Sequence, residues 1–382
     1  MFWNLVNLAY RSLNISRWNN YPRLLDYVES EHIALKLHIA YVITNILRQK
    51  WQKIDLVYIY KNIYWSSFFT FIYSDIKYDV KKILKEKKPL MYKKLRQNLW
   101  NFLCSLNLDK KIKHDIKSII EEHIQWNLFN QDYKIEHDII NLTKAIETKL
   151  EINDNVKIYS LSYENIPEII DNDIRHFSKK LWFTEMEILN SYLSYLIRLK
   201  FAYRWNRLKK ITLVSVLSHL FLVFNFSYFL WLLKWFSNEE MEEILNRSLL
   251  HDLPEALTWD VITPTKKSVQ WFKEVLEEIE NIVVKEKLSS LFKDYVFKDK
   301  FEEYVLYPFK WNIWKIAKYS DNLSAMFEAK MWNNEDYFKI YKNIKNSLWL
   351  KNDEELDYIL KYWVDYFEED VETKWKKFIW IE

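Results

Sequence analysis

The chain has 382 residues, 49% hydrophobic and 29% charged, a globular composition that excludes a disordered protein. Its 56 basic and 53 acidic side chains leave a net charge of +3, too balanced for an electrostatic binder of nucleic-acid polymers. A single cysteine, Cys104, excludes a disulfide framework and a cysteine-based zinc site and points to a reducing cytoplasm.

The opening MFWNLVNLAYRSLN lacks a basic stretch followed by a long apolar run, so no signal peptide is expected. Next comes RWNNYPRLLDYVESEH, then HIALKLHIAYVITNIL, with apolar residues at i, i+3, i+4 and i+7 that predict a helix. A second apolar helix follows in YIYKNIYWSSFFTFIYSDIKYD, whose Asp75 and Asp79 are expected to face solvent. KIEHDIINL holds His137-Asp138 on a polar helix face. Residues from about 151 to 190 are polar and connecting; KIYSLSYE within them is the nearest approach to strand-like alternation. The stretch 213–235 is apolar and long enough for a membrane span. It nevertheless carries Ser215, Ser218, His219, Asn225 and Ser227, which favours a central helix buried on all sides, and no membrane association is expected. MEEILNRSLLHDLPEALTWD predicts another helix, TPTKKS presents Lys266 and Lys267 to solvent, and SVQWFKEVLEEIENIVVKEKLSSLF returns to helical periodicity. Pro22, Pro89, Pro167, Pro254, Pro264 and Pro308 fall at element boundaries. The chain reads as all-α.

An internal repeat organises it. Arg17-Trp18-Asn19 precedes His32, and Arg204-Trp205-Asn206 precedes His219, at the same spacing. Each histidine opens a long apolar helix, and each such helix is followed by a second. The spacing predicts a duplicated helical unit with boundaries 1–150, 151–194 (connecting) and 195–382.

One feature of the composition is abnormal: there is no glycine, yet there are 19 tryptophans. Ordinary usage of about 7% predicts roughly 27 glycines in a chain of this length. Trp51, Trp235 and Trp332 each stand between a helix and polar turn residues, where a left-handed glycine is wanted, and Trp259 stands beside Asp260. Many of these tryptophans are therefore expected to be glycines in the cell, read from UGA codons by an organism that decodes UGA as glycine.

Of the eight histidines, only His251 lies in a dense polar cluster, HDLPEALTWD, with Asp252, Glu255 and Asp260. Glu255 is four residues beyond His251, one helical turn. If helices run over about 213–235 and 239–252, His219 and His251 stand roughly 27 and 21 Å from the intervening turn. Antiparallel packing then leaves them about one turn apart, close enough to share a metal.

A histidine on one helix, an HD dipeptide ending the next and a later helical aspartate, Asp321 in KIAKYSDNLSAMFEA, resemble the HD-domain metal-dependent phosphohydrolases. The string HDLPEALTWD and the upstream Arg204-Trp205 pair are similar to the 5′-deoxynucleotidase branch. The resemblance is strong over about 200–330 and implies an all-α HD-domain helical bundle. It implies a divalent ion (Mn, Co, Zn or Mg) held by His219, His251, Asp252 and Asp321, with Glu255 and Asp260 in proton transfer. It also implies Arg204 on a substrate phosphate, and Trp205 either stacked on a base or a recoded glycine. The substrate would be a nucleotide phosphomonoester. Another nucleotide (a triphosphate or an alarmone) and a non-catalytic nucleotide-binding protein remain as alternatives, and a homo-oligomer is left open. The first half departs from the pattern: aligning Asp79 with Asp260 puts Thr70-Phe71 where His251-Asp252 stand, and phenylalanine cannot ligate a metal. That half is expected to be a degenerate copy.

Overall fold

The computed structural model describes residues 2–50, 53–74, 76, 78–106, 108–125, 133–205, 212–234, 237–258, 269–310, 314–331 and 335–347. The first half comprises α1 (Phe2–Arg11), α2 (Glu29–Leu47), α3 (Leu56–Ile72), α4 (Tyr78–Lys87), α5 (Pro89–Ser105), α6 (Lys110–Gln125) and α7 (Lys134–Ile158). Then come α8 (Ser160–Tyr163), α9 (Ile166–Leu181), α10 (Met186–Leu196) and α11 (Arg198–Phe201). The second half holds α12 (Val216–Lys234), α13 (Asn238–Leu250), α14 (Glu255–Thr258) and α15 (Phe272–Val283), then a π turn (Val284–Leu288) and a 3₁₀ turn (Ser289–Phe292). It closes with α16 (Lys298–Leu306), α17 (Trp314–Met331) and α18 (Glu335–Ser347). No strand occurs among the described residues, only the isolated bridges Ser16–Val28 and Tyr203–Ser215. The protein is all-α, as its periodicity predicts. KIYSLSYE is helical too: α7 runs to Ile158 and α8 follows.

Two helices form the centre. In α2 every residue but Asn45 is buried, and in α12 every residue from Val216 to Leu232 is. A helix apolar on all sides is stable only when neighbours cover all of it. Here α2 packs on α3, α7, α10, α12 and α13, and α12 packs on α1, α2, α6, α11, α13 and α17. The α12 helix has the length and hydropathy of a membrane span, but 94% of that window is buried inside the protein. The two helices meet at the Ser30 and Ser218 hydroxyls, 2.9 Å apart, and Ser215 donates to Glu31 at 2.8 Å. One apolar core therefore draws on both halves. The boundary expected at residue 150 falls inside α7, which packs on α2 and α3 and runs to Ile158.

Sequence also sets the helix ends. Ser237 caps α13: its hydroxyl accepts from the Glu240 amide at 3.2 Å while its own amide donates to the Glu240 carboxylate at 2.8 Å. Pro89 opens α5, Pro167 lies in the first turn of α9, Pro254 separates α13 from α14, and Pro308 follows α16.

Among the described residues, those with positive φ are Trp18 (52°), Glu164 (43°), Trp182 (54°), Trp205 (56°) and Trp271 (66°). Four are tryptophan, in a region that costs a side-chain-bearing residue about 1–2 kcal/mol. Trp51, Trp235, Trp259 and Trp332, singled out from sequence, lie outside the described residues. Trp182 and Trp271 are 73% and 68% exposed, so their rings contribute little packing to offset that cost. Trp65, by contrast, is 1% exposed in α3 and its indole donates to the Tyr228 hydroxyl at 2.9 Å. The expected outcome is that Trp182→Gly and Trp271→Gly each raise stability by about 1 kcal/mol in chemical denaturation, while Trp65→Gly lowers it by several. Mass spectrometry of protein from its native source should read glycine at 182 and 271; tryptophan at both would end the recoding hypothesis.

Candidate functional site

His219 lies in the first turn of α12, fixed from behind by a carboxylate on α17, which packs directly against α12. Its Nδ1 stands 2.9 Å from Glu328 Oε1 on α17, and Ser324 Oγ bridges the same two groups at 3.2 and 3.1 Å. The other Glu328 oxygen accepts from Arg204 Nε at 3.2 Å and from the Trp205 indole at 3.0 Å. Glu328 is wholly buried. Burial alone would raise its carboxyl; Arg204 first and then His219 outweigh it and hold it at about 2.

The opposite face of the His219 ring meets the acidic residues. Its Nε2 lies 3.3 Å from Asp321 Oδ1, one helical face along α17 from Glu328, and 3.7 Å from Asp252 Oδ2. His251 caps the C-terminus of α13, its Nδ1 2.9 Å from the Ser248 carbonyl and its Nε2 3.3 Å from Asp252 Oδ2. The two imidazole rings are 5.5 Å apart between centroids, confirming the side-by-side placement that antiparallel α12 and α13 require. Burial pushes Asp252 up, but His251 and then His219 pull it down to about 2, and Asp321 lies well below the usual carboxylate range for a like reason. Burial and Arg204 lower His219; Glu328 and Asp321 outweigh them and lift it above the ordinary imidazole value.

Both His219 Nε2 and His251 Nε2 are buried without a hydrogen-bond partner. Buried polar atoms are ordinarily satisfied, and two such nitrogens converging on two carboxylates form the donor set of a borderline divalent ion. Ligand atoms of His219, His251 and Asp252 all lie within 4.8 Å of one another. The residues fit a metal. Their imidazole orientation is the one that metal-binding histidines take when the distal nitrogen is held by a carboxylate or carbonyl.

Arg204 Nη1 is 3.5 Å from Asp252 Oδ2, which places its guanidinium at the rim of this cluster. Glu255 also acts on Arg204 electrostatically, as do Glu328, Asp252 and Asp321. Its route there differs from the sequence reading. The α13 helix ends at Leu250, and residues 251–254 form a turn, with the Glu255 amide on the Asp252 carbonyl at 3.1 Å. Glu255 therefore opens α14 instead of standing one helical turn above His251, because Pro254 cannot continue the ladder. Asp260, Trp259, Lys266 and Lys267 lie outside the described residues. His137 and Asp138 do not gather ligands: His137 faces the Tyr58 hydroxyl at 3.0 Å and Asp138 faces Lys180 at 3.3 Å.

Sequence reasoning missed Glu328, Ser324 and Lys318. Lys318 Nζ is 2.8 Å from Asp321 Oδ2 and 4.6 Å above the Phe309 ring, itself 5.9 Å from His251. A signal for Glu328 was present: it lies two turns beyond Asp321, on the same face of α17.

Residues 191–367 match the family model for YfbR-like 5′-deoxynucleotidases, an HD-domain family. That stretch of the chain is similar to the family. The family is a hydrolase family, and the match contains Arg204, Trp205, His219, His251, Asp252, Glu255, Asp260 and Asp321. No curated protein matches the chain. The first half lies outside the match.

The buried carboxylate yields a stability prediction. Glu328 is held at about 2 against an ordinary 4.5, so it stabilises the fold fully above pH 4.5 and progressively less as pH falls toward 2. Glu328→Gln should cost about 3 kcal/mol at pH 7, since it leaves Arg204 buried beside a neutral amide. It should also flatten the loss of stability between pH 4.5 and 2. Urea titrations at both pH values read the two effects.

Proposed function

We propose that the second half hydrolyses a nucleotide 5′-phosphomonoester, releasing inorganic phosphate, with a divalent ion held by His219, His251, Asp252 and Asp321. The observation that carries this reading is the pair of orphaned imidazole nitrogens facing two depressed carboxylates inside the stretch similar to the YfbR-like family. The ion, when bound, polarises phosphate oxygens and lowers the pKa of an attacking water.

The protein's own groups supply the rest. Glu328 fixes the His219 ring so that Nε2 points into the cluster, and holds the Arg204 guanidinium by one edge. The Nη1 edge of that guanidinium lies at the rim, placed to take phosphate oxygens, and Lys318 offers a second cation on the other side of Asp321. Glu255, which opens α14 with its amide on the Asp252 carbonyl, is the group assigned to orient or deprotonate water. Asp260 is assigned to the leaving 5′-oxygen or the ribose. Trp205 stays ambivalent: its indole hydrogen bond to Glu328 gives the ring a structural use, while its φ of 56° is a glycine conformation. A nucleoside triphosphate or alarmone as substrate, or binding without turnover, is the competing reading. The single cysteine and the burial of α12 favour a cytoplasmic enzyme.

Asp252→Ala removes a charged donor common to both imidazoles and should abolish metal binding and turnover with little loss of helicity, by metal analysis and circular dichroism. Glu255→Ala should retain metal and lower kcat by about 10²–10⁴ on nucleoside monophosphates with Mn²⁺ or Co²⁺. Full metal occupancy in Asp252→Ala would overturn the ligand assignment, and an unchanged kcat in Glu255→Ala would remove that residue from the mechanism.

A further inference from the structure

The clamp behind His219 has a counterpart in the first half, with one residue changed. Arg17 donates to Glu151 on α7 from Nε at 3.0 Å and from Nη2 at 3.0 Å, and the Trp18 indole donates to the same carboxylate at 2.7 Å. This is the arrangement of Arg204 and Trp205 on Glu328, and Trp18 and Trp205 share the left-handed backbone as well. Four residues before Glu328 stands Ser324, whose hydroxyl bridges Glu328 and His219. Four residues before Glu151 stands Glu147. A hydroxyl donates as well as accepts, whereas an ionised carboxylate only accepts. The ligands of the other cluster are not repeated: Phe71, aligned with Asp252, is buried in α3, and Lys144 stands seven residues before Glu151 where Asp321 stands seven before Glu328.

The exchange leaves a buried group of acceptors short of donors. His32 Nδ1 on α2 lies 2.5 Å from Glu147 Oε1 and 3.4 Å from Glu151 Oε1. Glu147 is wholly buried and His32 is 7% exposed. Even so, His32 Nδ1 and both oxygens of Glu147 carry no well-aligned hydrogen bond. Buried polar atoms are ordinarily satisfied, and an unsatisfied carboxylate is costly to bury. Glu151 Oε1 accepts from Arg17 Nε and keeps a lone pair for the His32 side. One ligand atom from each of His32, Glu147 and Glu151 lies within 4.8 Å of the others. With both oxygens of Glu147, the three residues offer one nitrogen and three oxygens, a thiolate-free set that suits a borderline divalent ion. Glu29, Glu147 and Glu151 also outnumber the cations that act on them, Arg17 and the buried Lys36, so the field draws a cation inward.

We propose that His32, Glu147 and Glu151 hold a second divalent transition-metal ion, of the Zn²⁺ class, which ties α2 to α7. It differs in kind from the ion of the other half. There His219 turns Nδ1 to the clamp and Nε2 to the ligands, whereas His32 turns Nδ1 to the carboxylates that would be ligands. All the donors are buried side chains, as in a structural site, and no catalytic step is assigned to the ion. Burial, and then Glu151, push the Glu147 carboxyl up to about 7, so a proton is the competing occupant and the ion must displace it.

The test uses the full chain, stripped with chelator, reloaded with Zn²⁺ and desalted, with the retained metal counted by elemental analysis. Asp252→Ala, which disables the other site, should retain one equivalent, and Asp252→Ala with Glu147→Gln should retain none. Zn²⁺ should raise the Tm of Asp252→Ala and leave that of the double variant unchanged. Glu147→Ser, which installs the hydroxyl found at 324, should lose the same equivalent with its helicity intact and replaces Glu147→Gln if that variant folds poorly. The comparison within the Asp252→Ala background holds whatever the second half binds, so failure here is distinguishable from failure of the phosphohydrolase reading. Loss of the equivalent on changing Glu147 supports the site. No ion retained in Asp252→Ala overturns it and leaves the shared proton as occupant, and an equivalent that survives both changes at Glu147 overturns it as well.

Discussion

A carboxylate with no access to water holds this protein's chemistry in place. Glu328 accepts from Arg204 and Trp205, which arrive on the segment before α12, and faces His219, which is part of α12. Burying a charge costs several kcal/mol unless every lone pair finds a donor. Glu328 satisfies that condition only when α17, α12 and the short stretch around residue 204 are all seated correctly. The carboxylate therefore couples assembly of the bundle to orientation of the imidazole. A rotation of His219 by even a fraction of a rotamer would break its contact with Glu328 and misdirect Nε2, so the geometry of the cluster is inherited from the folding of the core.

This dependence explains why α12 is apolar on all sides and yet interrupted by polar residues. Ser215, Ser218 and His219 occupy the end where α12 meets α2 and α17, and Ser227 meets Ser248 of α13 at 2.6 Å. Each polar group has a partner on a neighbouring helix, so it fixes the rotation of α12 while the phenylalanines and leucines supply the burial. The same logic applies to α2, where Glu31 is shared by Ser215 and Lys200. Two fully buried helices that touch through hydroxyls hold the halves in one core.

Much of this was legible in the sequence because it depends on periodicity and spacing. The helical repeat gave the fold class, and counting residues from the turn at Ser237 placed His219 beside His251. Asp321 came from the resemblance of KIAKYSDNLSAMFEA to the late helical aspartate of the HD-domain phosphohydrolases, not from spacing. Glu328 did not, because EAKM reads as an ordinary polar end of a helix until Arg204 and Trp205, more than a hundred residues away in the chain, are known to point at it. Glu255 was found by a mistaken route: the helical spacing from His251 ignores Pro254, and a turn delivers the residue instead. The boundary expected at residue 150 falls within a helix. Local composition turns polar there, but α7 continues because its buried face carries Glu147 and Glu151 to His32.

The two halves share one supporting clamp and differ in what lies beside it. Both bury a glutamate beneath an arginine, a tryptophan indole and a histidine Nδ1. What differs is the lining. Asp252 and Asp321 give the second half two carboxylates held strongly ionised beside His219 and His251, a donor set that suits a borderline divalent cation. In the first half the position equivalent to Asp321 is Lys144, which burial, and then Lys36, Lys85 and Arg96, push down to about 7. The clamp is common to both linings: Glu328 accepts from Arg204 and Trp205, and Glu151 accepts from Arg17 and Trp18. The position seven residues before the buried glutamate can therefore change from Asp321 to Lys144 while the clamp is kept.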